Sequence, residues 1–271
     1  RAQGKKWFHW FEENKYLDKL FNPDARLTEI DIEICNWLSS NYVLNEPDLV
    51  FSLINKKQLS INPVLWNYIL HSVCFPPKSV DSVLLSSWVS LLLLTSSRRC
   101  NYRLLEVLAE KCYETKNINA ISDIFLFSVN SKYVLNDSFW LSEKELGKSR
   151  FYLDQGSTYP YSFVFNVWDK YLSPNIELCW QKLFFGVISK VLNLSSFMNM
   201  WSDGNSDLLS IKRVAIASTE QNSSDGVLDL YVTVLRSILE WAVLNERQVT
   251  NDLYLLLLDQ KEPILKRLGI Y

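Results

Sequence analysis

Glycine and proline are scarce in this chain, at 7 and 8 of 271 residues. That excludes a turn-rich β-sandwich or barrel and suits helices joined by short connections. Seven scattered glycines write neither a phosphate-cradling P-loop nor a dinucleotide fingerprint. Histidine is rarer still, with only His9 and His71, and no two cysteines stand at zinc-ligand spacing. No metal and no cofactor is therefore expected. His71, alone on an apolar helix, reads as a buried and satisfied histidine. The five cysteines (35, 74, 100, 112 and 179) are odd in number, far apart and set in apolar stripes. They form no disulfide framework and suit a reduced, intracellular protein. Charge of one sign is lacking too. A net charge of −2 gives no overall field for nucleic acid or an anionic membrane. The longest apolar run, Val83 to Leu94, is broken by Ser86, Ser87 and Ser90. It falls short of the roughly 20 residues a membrane span needs, so a soluble protein is expected. The chain begins at Arg1 without an initiator Met or a signal-peptide pattern, which reads as a fragment whose targeting segment lies elsewhere.

What is present is large and apolar, including 10 Trp, 13 Tyr and 14 Phe. Val83, Leu84, Leu85, Trp88, Val89 and Leu91 to Leu94 leave almost no polar face, which predicts a helix sandwiched between neighbours. Leu104, Leu105, Leu108 and Cys112 form one helical stripe. Ile118, Ile121, Ile124 and Phe125 form another, after a break at Lys116-Asn117. Upstream, Lys5 to Phe21 reads as one helix with Trp7, Trp10 and Phe11 on its stripe and Phe8 off it. Thr28 with Asp31 makes a capping box, ahead of Ile30, Ile34, Trp37 and Leu38 facing inward. Asn45 before Pro47 and Asn62 before Pro63 look like caps with proline in the first turn. Downstream, Ile176, Trp180, Leu183, Phe184, Val187, Ile188 and Val191 form one stripe, with Leu178, Phe185 and Leu192 on a second buried face. Val227 to Leu244 is the cleanest periodic helix, and two short helices finish the chain at Gly269.

No strand pattern competes. The expectation is an all-α protein, an irregular α–α superhelix of stacked, HEAT-like helical hairpins with about twelve helices. An N-terminal sub-bundle would span 1–135 and a C-terminal one 161–271, separated by a long polar loop at 136–160.

Catalysis finds little to work with. There is no nucleophile elbow, and Glu29, Asp31 and Glu33 read as a solvated face at a helix start. No small-molecule substrate is expected, and the chain reads as a non-enzyme. Two clusters hold more interest. Arg98, Arg99 and Arg103 at a helix junction fit either helix-dipole complementarity or a phosphate-contacting rim with weak DNA contact. Lys56-Lys57 and Lys212-Arg213 are further basic pairs. Trp7, Phe8, Trp10 and Phe11 spread over more than one face of a terminal helix, so they either cap the stack or contact a protein partner.

The order Leu84-Leu85, Trp88 with its apolar run, Leu104-Leu105-x-x-Leu108, then Ile121-Ser122-Asp123-Ile124 into Phe125 and Phe127 resembles a known family. It is similar to the helical domain of the non-SMC element six subunit of the five–six type SMC complex and its animal counterpart, the SMC five–six localisation factor. The resemblance covers about Leu84 to Leu192. It implies a non-catalytic subunit that forms a heterodimer with the element-five subunit, contacts SMC proteins, and brings the complex to chromatin in the nucleus for DNA repair. It transfers no residue role, and Asp123 keeps a local reading as an acid in a first helical turn after Asn119. A nucleic-acid-binding solenoid and a structural subunit of another nuclear assembly are the alternatives.

Overall fold

The computed structural model describes residues 2–97, 101–134, 150–153, 161–199 and 226–270. The fold is all-α, built of helical hairpins: α1 (Ala2–Glu13), α2 (Glu29–Tyr42), α3 (Pro47–Lys56), α4 (Pro63–Cys74), α5 (Ser82–Thr95), α6 (Leu105–Glu114), α7 (Ile118–Ser128), α8 (Tyr161–Val167), α9 (Ile176–Asn199), α10 (Gly226–Asn245), α11 (Arg247–Asp259) and α12 (Pro263–Ile270). Two short strands, β1 (Ser131–Val134) and β2 (Arg150–Leu153), pair antiparallel with Ser131 opposite Leu153. They correct the expectation that no strand occurs. Four residues each are too few to leave a readable period of two. Two compact units result, Arg1–Ala120 and Ile121–Tyr271. The division lies inside α7, upstream of the 136–160 stretch where the sequence places it; most of that stretch lies outside the described residues.

In the first unit, α4 packs on α2, α5 and α6. Its stripe Leu65, Trp66, Ile69, Leu70 and Val73 is buried as its spacing predicts. Two tryptophans fix this arrangement. The Trp66 indole N–H donates to the Leu92 carbonyl at 2.8 Å, and the Trp88 indole N–H donates to the Val43 carbonyl at 3.1 Å. Both acceptors lie in the last turn of a helix or just beyond it, where carbonyls lack intrahelical partners. Each tryptophan thus fills core volume and satisfies a helix end from a neighbouring helix.

Asn62 does the equivalent at a helix start. Its Oδ1 accepts from the Val64 N–H, and its Nδ2 donates to the Asn22 and Ala25 carbonyls. The side chain is buried and ties the loop after Phe21 to α4. Asn62→Asp keeps the cap acceptor but sets a carboxylate against two carbonyls. We expect a loss of about 2–3 kcal/mol in thermal denaturation, from stranded buried acceptors. Thr28 forms the expected capping box with Asp31. The Thr28 backbone N–H holds the Asp31 carboxyl below its ordinary range. Asp31 is therefore buried in the cap, and only Glu29 and Glu33 remain on the solvated face. Asn45 does not cap α3: its Nδ2 donates back to Asn41 O, and Glu46 stands at the cap position.

Helix ends here use the left-handed conformation without glycine. Lys15, Gln58 and Lys116 have φ of 61°, 57° and 57°. Each closes a paired bond pattern, such as Tyr16 N–H to Phe11 O with Lys15 N–H to Glu12 O. Similarly, Asn117 N–H donates to Cys112 O and Lys116 N–H to Tyr113 O. A side chain at such a position carries a steric cost that glycine lacks. Lys116→Gly is expected to raise stability by up to about 1 kcal/mol and Lys116→Ala to give no gain, measured by urea unfolding.

The sandwiched helix is not α5. Leu85, Trp88, Val89 and Leu92 are buried, but Val83 and Leu94 are 74% and 68% exposed, with Ser87 and Ser90 on the same strip. α10 takes that role: Val227, Leu228, Leu230, Tyr231, Val232, Val234, Leu235, Ile238, Leu239 and Ala242 are all buried. It packs on α9, α11, α12 and β2, so it has neighbours on several sides. The Tyr231 hydroxyl donates to the Val129 carbonyl, which satisfies its one polar atom inside the core. In α9 the expected stripe is buried except Trp180, which is half-buried against Trp241 with ring centroids 6.1 Å apart. Leu178 and Phe185, expected on a second buried face, are exposed, and Leu192 is half-buried. Gly186 admits Leu126 of α7, since a Cβ there would stand 2.6 Å from its Cδ2. Asn117, not Asn119, caps α7 through its Oδ1 and the Ala120 N–H. Asp123 instead pairs with Lys182 at 2.6 Å.

Candidate functional site: an aromatic face on the first helix

Local sequence explains how α1 presents its aromatics. The helix stops at Glu13 because Lys15 turns left-handed, and the chain does not run on helically to Phe21 as its spacing suggests. Leu17, Leu20 and Phe21 are buried from the following turn and the 3-10 segment Asp18–Phe21. Phe8 becomes the anchor of α1: it is 2% exposed and packs on Tyr42 with centroids 5.1 Å apart. This inverts the expected stripe. Trp7 and Trp10 are left 57% and 44% exposed.

These rings form a continuous cluster. Trp7 meets Trp10 edge-on at 5.8 Å. The turn at Lys15 brings Tyr16, 49% exposed, into a stack on Trp10 at 5.4 Å with 19° between planes. Phe11, half-buried, joins the cluster to Trp37 of α2 at 5.0 Å. Phe8 and Phe11 hold the helix down while Trp7, Trp10 and Tyr16 face outward. Of the four residues singled out from sequence, two therefore form the exposed face and two support it. Tyr16 and Trp37 were missed, because their place depends on a left-handed lysine and on a contact between helices.

Next to this face a groove of about 280 Å³ runs between α1 and the end of α2, lined by Trp7, Trp37, Tyr42, Asn41, Asn45 and Glu46, with Lys5 at its edge. Lys5 Nζ lies 3.1 Å from Glu46 Oε2. Burial, and then the nearby Glu46 carboxylate, raise the Tyr42 phenol above its ordinary value.

Among the described residues, the basic side chains do not assemble a comparable site. Arg98 and Arg99 lie outside the described residues, as does the Lys212-Arg213 pair; Arg103 is exposed on the 3-10 turn Tyr102–Leu104. Lys56 and Lys57 are paired with Glu12 at 2.6 Å and Asp18 at 2.7 Å, tying α3 to the N-terminal segment. His71 is exposed, not buried. Its ring lies 4.9 Å from Phe75, and it lines a groove of about 450 Å³ with Asn36, Ser39, Asn67 and Tyr68. Burial pushes the thiols of Cys35 and Cys74 up to about 12 and that of Cys179 to about 11, so they stay protonated and unreactive. Among the described residues, no cluster of His, Cys, Asp and Glu is placed to hold a metal ion, and no helix is long and apolar enough to cross a membrane. The chain matches no protein-family model, no curated protein and no solved structure.

Proposed function

We propose that this chain is a non-catalytic helical scaffold that works through protein–protein contacts, with the aromatic face of α1 as a docking surface. The observation that carries the reading is the arrangement of α1. Phe8 anchors the helix in the core, while Trp7, Trp10 and Tyr16 are held open to solvent in one preorganised cluster. Tryptophan and tyrosine are the side chains most enriched at binding hot spots, and rings already packed on one another lose little entropy on docking.

The resemblance of Leu84–Leu192 to the non-SMC element six subunit supplies the partner: the element-five subunit, within an SMC five–six type complex at chromatin in the nucleus. In that assembly the chain pairs with element five and promotes loading at DNA lesions. Affinity purification of the tagged chain from nuclei, read by mass spectrometry, tests this. Recovery of element five with the SMC subunits supports the assignment. Recovery of a different nuclear assembly instead would sink the family assignment and leave the scaffold reading standing.

A further inference from the structure

The groove beside the aromatic face has a chemistry of its own. Trp7 and Trp37 line it as aromatic walls with the buried Tyr42 behind them, and Glu46 supplies a carboxylate. Asn41 and Asn45 each donate Nδ2 to a carbonyl one turn back, Trp37 O at 2.8 Å and Asn41 O at 3.2 Å. That orientation leaves the Oδ1 of each as an acceptor. The groove also lies at the C-terminal end of α2, the negative pole of its dipole. Aromatic walls, a carboxylate, amide oxygens and a helix C-terminus all favour one kind of guest, a cation. The chain already supplies one: the Lys5 ammonium sits against Glu46 at the rim, on a side chain that is half exposed.

Resting on the scaffold reading, we propose that this groove binds a lysine side chain of the protein partner, which displaces Lys5 from Glu46. The volume of about 280 Å³ admits one such side chain with its methylene stem against the rings. The acceptors set the methylation state. Lysine and its lower-methylated forms keep an N–H for a charge-assisted bond to Glu46, whereas a trimethylammonium has none and meets the carboxylate only at longer range.

The test uses the full chain with its tryptophan indoles labelled for NMR, titrated with N-acetyl-lysine-methylamide, its trimethyl derivative and the neutral norleucine analogue. Saturable shifts of the Trp7 and Trp37 indole signals are expected with the lysine amide. Weaker ones are expected with the trimethyl form, and the weakest with norleucine. Glu46→Gln should weaken binding about threefold or more, and Lys5→Ala should strengthen it about threefold, as expected for a partly exposed charge contact. Equal shifts from norleucine, a trimethyl form that binds as tightly as the parent, or no shift at all would each overturn the lysine site. A complex that still depends on Trp7 and Trp10 while the lysine amide does nothing would remove this inference alone. The reverse result, lysine binding in the groove with a complex indifferent to Trp7 and Trp10, would remove the docking role of α1 and overturn the assignment of that lysine to the partner.

Discussion

Trp66→Ala is expected to cost about 4 kcal/mol or more, enough to leave the first unit largely unfolded at 37 °C. Truncating a fully buried tryptophan removes its transfer free energy and opens a cavity, together worth roughly 3–5 kcal/mol. The lost indole N–H also strands the Leu92 carbonyl at the end of α5, adding about 1–3 kcal/mol if water cannot reach it. Against a typical total of about 5–15 kcal/mol, that is a large fraction. Trp66→Phe separates the two parts. It keeps most of the ring volume but not the donor, so it should cost about 1–3 kcal/mol. Circular dichroism with urea titration checks both. A Phe variant as damaged as the Ala variant would mean that the hydrogen bond dominates. A wild-type-like Phe variant would mean that packing does all the stabilising.

The second large effect is on binding. Replacing Trp7 and Trp10 together by alanine is expected to weaken partner association by at least about 30-fold, since even one hot-spot aromatic typically costs about 2 kcal/mol or more. Folding should hardly change, because both rings are about half exposed and Phe8 keeps α1 anchored. Phe8→Ala should do the opposite, lowering stability first and binding only as α1 detaches. A pull-down paired with a melting curve for each variant gives the two readouts. If the double tryptophan variant unfolds, these rings cap the helical stack and do not form a docking face.

The sequence was legible where structure is local. The Thr28–Asp31 box, the Asn62-Pro63 start and the α4 stripe are each written within a few residues, and each is found in place. It was not legible where the answer depends on what lies alongside. α5 and α10 are both rich in apolar residues, and composition alone favoured α5 as the enclosed helix. Neighbour count decides: α10 is surrounded, while α5 leaves Val83 and Leu94 in solvent. The candidate site failed in the same way. Periodicity put Trp7 on the inner stripe and Phe8 off it, because nothing in the residues Asn14-Lys15-Tyr16 announces a left-handed stop. Glycine would have marked it, and lysine does not. The aromatic cluster was therefore visible as composition, but its inner and outer members were not distinguishable.

Oxidative footprinting of the tryptophans in the isolated chain and in its purified complex tests the docking claim most directly. Trp66 and Trp88, fully buried, should resist oxidation in both states, while Trp7 and Trp10 should react readily alone and become protected in the complex. Trp7 and Trp10 reacting equally fast in both states, with the complex intact, would contradict the account.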